Sequence, residues 1–224
     1  MKNAAELANG FTELRRRFRS TDRKVWFEAR RVAIFKTLGA SNRYHRTLTR
    51  VGRLLETAEE HPTDFPALIE FACYVVDLIP QWNVPDYYAR AADYAYATAQ
   101  SMRIKENHRK ELRHMISELD YRHTPSSGLA KQFSDIYYYE WSLSEDRVLG
   151  MLRALRREIS DIDDAEAKTI LAIYIQTNLG RRSPFFHTPA YALYEPKVRD
   201  NLRFAYMNLT SIVAARPTDK AARF

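Results

Sequence analysis

The segment from Thr63 to Pro80, TDFPALIEFACYVVDLIP, constrains the fold more than any other stretch because it has almost no polar face. On a helix, Leu68, Ile69, Phe71, Ala72, Val75, Val76 and Ile79 ring the axis, and a helix apolar on nearly every side belongs at the centre of other elements. A buried strand has a similar composition, but a run of this length favours a helix. Thr63 or Asp64 supplies the N-cap and Pro80 the stop. The rest of the chain must therefore form the shell.

That shell reads as helical. Leu7, Phe11, Leu14 and Phe18 recur at helical spacing, as do Val25, Trp26, Ala29, Val32 and Ala33, then Tyr44, Leu48, Val51 and Leu55. Later faces are formed by Ala92, Tyr96 and Ala99, by Leu112, Met115, Ile116 and Leu119, and by Phe133, Ile136, Tyr137 and Tyr138. Val148, Leu149, Leu152 and Leu155 follow, then Ile170, Leu171, Ile173, Tyr174 and Ile175, and a last face of Val198, Leu202, Tyr206, Leu209 and Val213. Only 6 glycines and 9 prolines, the latter clustered, interrupt 224 residues. The expectation is an all-α fold of about nine or ten helices with no significant sheet, either a multi-helix bundle or a short stack of helical hairpins. One domain over 1–224 suits the length. The segment HTPSSG, 123–128, is the clearest loop and divides a basic part, 1–122, from 129–224.

Cys73 sits inside the apolar run and cannot form an internal disulfide, which fits a reducing compartment and a packing role. The opening MKNAAELANG has no apolar signal core, and no run approaches the roughly 18 to 20 residues of a membrane span. A cytoplasmic location and no membrane partner are expected.

Charge supplies the functional signal. The formal charge of +7 is uneven: residues 1 to 55 hold 14 Lys/Arg against 4 Asp/Glu, and the remainder holds 21 against 24. No acid occurs between Glu28 and Glu56. Within that gap Arg43, Arg46, Arg50 and Arg53 fall on one stripe of a helix, roughly 150° from the stripe of Tyr44, Leu48, Val51 and Leu55. Arg15, Arg16, Arg23, Arg30 and Arg31 reinforce the basic end. Cations at helical spacing suit a phosphate backbone, and arginine adds a bidentate fork. The competing explanation is a solvated face, or salt bridges to the acidic remainder of the chain.

Other constellations carry less. Glu111 and His114 have the spacing of a di-iron ligand pair, but no second pair exists. Asp161, Asp163 and Asp164 fit the acidic start of a helix rather than a magnesium motif. No Gly-rich phosphate loop, Cys/His metal spacing or nucleophile elbow is present, so neither cofactor nor metal is expected. The aperiodic stretch from Arg181 to Pro196 is either an aromatic plug or a site. As a site, Arg181 and Arg182 would hold a phosphate or carboxylate, with His187 as acid/base and Tyr191 or Tyr194 as donors.

These features favour a non-catalytic helical binding protein. Its basic N-terminal helices would contact RNA or DNA with little sequence preference, as part of a homo- or hetero-oligomeric assembly. One alternative is a scaffold, adaptor or virion subunit that binds an acidic protein surface. Another is a helical enzyme that uses the 181–196 loop.

Overall fold

The computed structural model describes residues 2–20, 22–31, 47–60, 65–79, 86–120, 122–159 and 162–214. Among them are α1 (Ala4–Arg17), α2 (Arg23–Arg30), α3 (Leu48–Glu60), α4 (Pro66–Val75), α5 (Tyr87–Ser101), α6 (Glu106–Ser117) and α7 (Gly128–Tyr138). A 3-10 turn (Tyr139–Ser142) leads on to α8 (Glu145–Glu158), α9 (Asp164–Leu179), α10 (Pro189–Ala192), α11 (Glu195–Met207) and α12 (Leu209–Val213). No strand occurs among the described residues, and the fold is an all-α multi-helix bundle.

The centre is α4. Every residue from Ala67 to Val76 except Glu70 is buried, and α1, α3, α5, α6 and α7 all pack on this helix. A second group, α8, α9, α11 and α12, packs on itself and joins the first through α7 and the 3-10 turn. Buried residues of both groups form one continuous hydrophobic cluster. Burial raises the Cys73 thiol far above its ordinary range, so it remains an inert core group.

Local chemistry explains the helix ends. Asn3 caps α1 by accepting from the amides of Ala5 and Glu6, while Glu6 accepts from the Asn3 amide, a reciprocal box. α1 stops in a left-handed residue, Arg19 (φ 54°), with Ser20 N–H on the Arg15 carbonyl and Arg19 N–H on that of Arg16. This terminus satisfies the last carbonyls of α1 and turns the chain directly into α2.

Four boundaries differ from those expected. α4 has Phe65 at its N-cap, without a side-chain cap, and ends at Val75, well before Pro80; Thr63 and Asp64, the expected caps, and Pro80 lie outside the described residues. The helix that carries Phe133, Ile136, Tyr137 and Tyr138 does not run on to Trp141 but gives way to the 3-10 turn after Tyr138. The aperiodic 181–196 stretch contains α10, and α11 begins at Glu195, with Pro196 in its first turn where no amide is needed. The last helix breaks at Asn208, whose side-chain amide donates to the Phe204 carbonyl.

Gly10 lies in the middle of α1, where glycine costs about 1 kcal/mol relative to alanine. Tyr74 of α4 explains it. Its hydroxyl donates to the Leu7 carbonyl at 2.9 Å, and a Cβ on Gly10 would stand 2.9 Å from the Tyr74 hydroxyl oxygen. The Tyr74 ring is held edge-on against Phe11, with centroids 5.1 Å apart. Gly10→Ala is therefore expected to lower stability by about 1 kcal/mol instead of raising it. In urea denaturation, Gly10→Ala combined with Tyr74→Phe should be more stable than the sum of the single changes implies.

Candidate nucleic-acid interface

The arginine row turns inward where it is described. Arg43 and Arg46 lie outside the described residues. Arg50 is 2% exposed. One of its terminal nitrogens is paired with Asp77, and its Nε lies 3.0 Å from Glu140 Oε1. The latter approach is an ion contact without hydrogen-bond alignment. Arg53 pairs with the other oxygen of Glu140 at 3.0 Å. The Arg50 guanidinium also lies 4.5 Å over the Tyr137 ring, and the Tyr87 hydroxyl is 3.4 Å from Asp77 Oδ1. Burial opposes the charge on Arg50, but Tyr137, Glu140, Tyr87 and Tyr88 outweigh it and hold its pKa above the ordinary value.

The expectation that Arg50 and Arg53 present an external basic face is thus corrected: both are committed to the protein's own carboxylates. The reason is non-local. Asp77 follows the end of α4, 27 residues from Arg50, and Glu140 lies in the 3-10 turn, 87 residues from Arg53. A buried guanidinium is tolerated only where such counter-charges meet it.

The remaining basic residues divide by whether an acid already answers them. Arg16 is paired with Glu13 at 2.7 Å, and Arg31 with Glu28 through two nitrogens, at 2.9 and 2.5 Å. The Glu28 hydrogen bond raises the Arg31 pKa. Arg17 reaches Glu70 on α4 at 2.5 Å. Arg15, Arg23 and Arg30 have no carboxylate partner among the described residues. Arg15 Nη1 donates to the Ser20 carbonyl at 3.0 Å, and Arg30 Nη1 to Thr12 Oγ1 at 3.2 Å.

These three arginines meet in one place. Thr12, Arg15 and Arg16 of α1 and Arg23, Trp26, Phe27 and Arg30 of α2 line a groove of about 380 Å³. Trp26 forms its floor, fixed by Phe11 and Phe18 at centroid distances of 5.8 and 6.1 Å. Phe27 forms its rim. That ring is 57% exposed, and the Arg30 guanidinium lies 4.7 Å over it. An open aromatic face among uncompensated arginines offers both phosphate contact and base stacking. Phe27 was missing from the sequence-based candidates, although its spacing of four from Arg23 and three from Arg30 puts it on their side of α2.

No family model, curated protein or solved structure matches the chain. The geometry alone must carry the functional reading.

The 181–196 loop is a packed plug. Asp135 of α7 accepts from the amides of His187 and Thr188 at 2.7 and 2.8 Å and from the Thr188 hydroxyl at 2.5 Å. Glu195 accepts from the amides of Phe185 and Phe186, at 2.7 and 3.3 Å. Phe186 stacks on Tyr191 at 5.8 Å, and Tyr194 meets Tyr139 edge-on at 5.0 Å. Arg181 is buried whereas Arg182 is exposed, so the two do not form a common anion clamp. Burial, helped by the charge of Arg181, pushes the His187 imidazole down to about 4. Asp135 and Glu195, the two carboxylates that fasten the loop, carry no local sequence signal because their partners are backbone amides.

Glu111 and His114 serve the 123–128 loop. Glu111 accepts from Ser127 Oγ at 2.9 Å, while His114 contacts Ser126 Oγ at 2.9 Å and Glu118 at 3.3 Å. Among the described residues no His, Cys, Asp and Glu side chains gather as a metal-binding group, and no helix is long and apolar enough to cross a membrane.

Proposed function

We propose that this chain is a non-catalytic helical binding protein whose α1–α2 hairpin holds single-stranded nucleic acid by its backbone, with little sequence preference. One observation carries the reading: Arg15, Arg23 and Arg30, uncompensated among the described residues, line the same groove as the open Phe27 ring. Three guanidinium groups suit successive phosphates, and a free aromatic face accepts any base. An acidic protein surface would use the arginines but would have little use for the ring.

The test is fluorescence anisotropy with a labelled single-stranded oligonucleotide across a salt series. Three phosphate contacts at roughly 0.7 counterion each give a log–log salt slope of about −2. The combined Arg23→Glu and Arg30→Glu variant should bind about a hundredfold more weakly at low salt. Phe27→Ala should weaken binding roughly tenfold by loss of stacking. All three positions are at the surface, so denaturation midpoints should barely move. Unchanged affinity in the charge-reversed variant overturns the proposal. A parent that binds polyglutamate but no oligonucleotide at low salt also overturns it, and transfers the groove to an acidic protein.

A further inference from the structure

Arg181 follows the C-terminus of α9 and is 6% exposed, yet no carboxylate among the described residues reaches it. Its guanidinium lies 4.5 Å over the Phe185 ring and 5.1 Å over that of Tyr138. Nη2 donates to Ser183 Oγ at a long 3.3 Å, and the Tyr138 hydroxyl is a further polar neighbour. Nε and Nη1 are buried without a hydrogen-bond partner. Arg50, the other deeply buried guanidinium described, is met by two carboxylates as well as a ring. Ring faces alone do not replace the hydration that a buried cation loses.

The surrounding acids are already committed. Asp120 is held by Arg122, Asp135 by the His187 and Thr188 donors, and Glu195 by Arg199 and two loop amides. A second uncommitted group lies on the same loop. His187 Nε2 is buried without a partner. Burial chiefly depresses the imidazole, the charges of Arg181 and Lys131 add to it, and Glu195 and Glu118, the latter engaged by Ser126 and His114, oppose it. Arg199 adds positive charge beside the same ring, 5.6 Å from the Phe185 centroid. Buried donors left open in this way call for an ion or water to complete them.

We propose that Arg181 and His187 together bind one small oxyanion of the phosphate class, at a site independent of the α1–α2 groove. Several acceptor oxygens on one centre satisfy separate guanidinium nitrogens and the imidazole at once, and the planar guanidinium favours an oxyanion over a spherical halide. Binding supplies the counter-charge that the fold omits. It also reverses the electrostatic pressure on His187, which then gains a proton more readily.

The experiment compares thermal unfolding of the full chain in inorganic phosphate and in chloride at matched ionic strength. The melting temperature should climb with the logarithm of phosphate concentration once the dissociation constant is passed, and stay level in chloride. Arg181→Met should abolish the climb. Without phosphate that variant should melt no lower than the parent, because an unpaired buried charge has been removed. Arg181→Lys retains charge but not the planar donors, and should shift the phosphate midpoint at least about tenfold. The Arg23→Glu and Arg30→Glu variant should keep the full response, which separates this site from the groove. By NMR, the His187 imidazole should titrate about a unit higher in saturating phosphate, and not in Arg181→Met. A parent without a phosphate response, or an Arg181→Met that retains one, overturns the proposal.

Discussion

Glu140→Ala is expected to destabilise the protein by about 3 to 5 kcal/mol, the range for removing one partner from a buried ionic group. The carboxylate meets Arg50 Nε and Arg53 Nη2, each at 3.0 Å, and is only 3% exposed. Its loss leaves Arg53 without its described acid and Arg50 with Asp77 alone. Against a typical stability of about 5 to 15 kcal/mol, that is a large fraction. At roughly 2 to 4 °C per kcal/mol for a chain of this size, the melting temperature should fall by about 6 to 20 °C. The loss should persist in high salt, because a buried pair is poorly screened. Guanidinium denaturation monitored by circular dichroism provides the measurement; a change below about 1 kcal/mol means that water replaces the carboxylate. Replacing Arg50, Asp77 and Glu140 together by apolar residues of matched volume should cost far less than Glu140→Ala alone.

This ionic cluster also marks the limit of sequence reading. The two faces of Arg43 to Leu55 are visible as periodicity, since helical geometry needs only local spacing. What answers Arg50 and Arg53 depends on the placement of the end of α4 and of the 3-10 turn after α7, which local spacing does not encode. Composition points the wrong way here: an acid-free stretch looks like an external face because its acids arrive from elsewhere in the chain. α4 is legible because nearly all its residues are apolar, and the start of α9 because Asp163 caps within three residues; the Asn3 cap of α1, equally local, is not among the sequence-based expectations. The α1–α2 groove is half legible. Its arginines stand out by charge, whereas Phe27 resembles one more core aromatic until Trp26 is seen to hold the buried side.

The 181–196 loop shows the same limit through its pH dependence. Asp135→Ala should cost about 3 kcal/mol, because one charged acceptor serves two amides and a hydroxyl. Burial pushes the Asp135 carboxyl up to about 6, from 3.8, despite those donors, while burial pushes His187 down to about 4, from 6.5. The signs oppose. Between about pH 4 and 6 the native state holds the Asp135 proton that the unfolded chain has released, so this group lowers stability as pH rises. Across the same window, and on to about 6.5, the unfolded chain holds a His187 proton that the native state excludes, so this group raises stability with pH. The parent should therefore show a shallow net contribution from the loop. Asp135→Asn should make stability rise more steeply from about pH 4 to 6 than in the parent, and His187→Phe should flatten or invert that rise. Melting temperatures of the three proteins across the window decide the matter. Parallel curves would mean that neither group changes its proton affinity on folding, and that the loop is held by hydrogen bonds and ring packing alone.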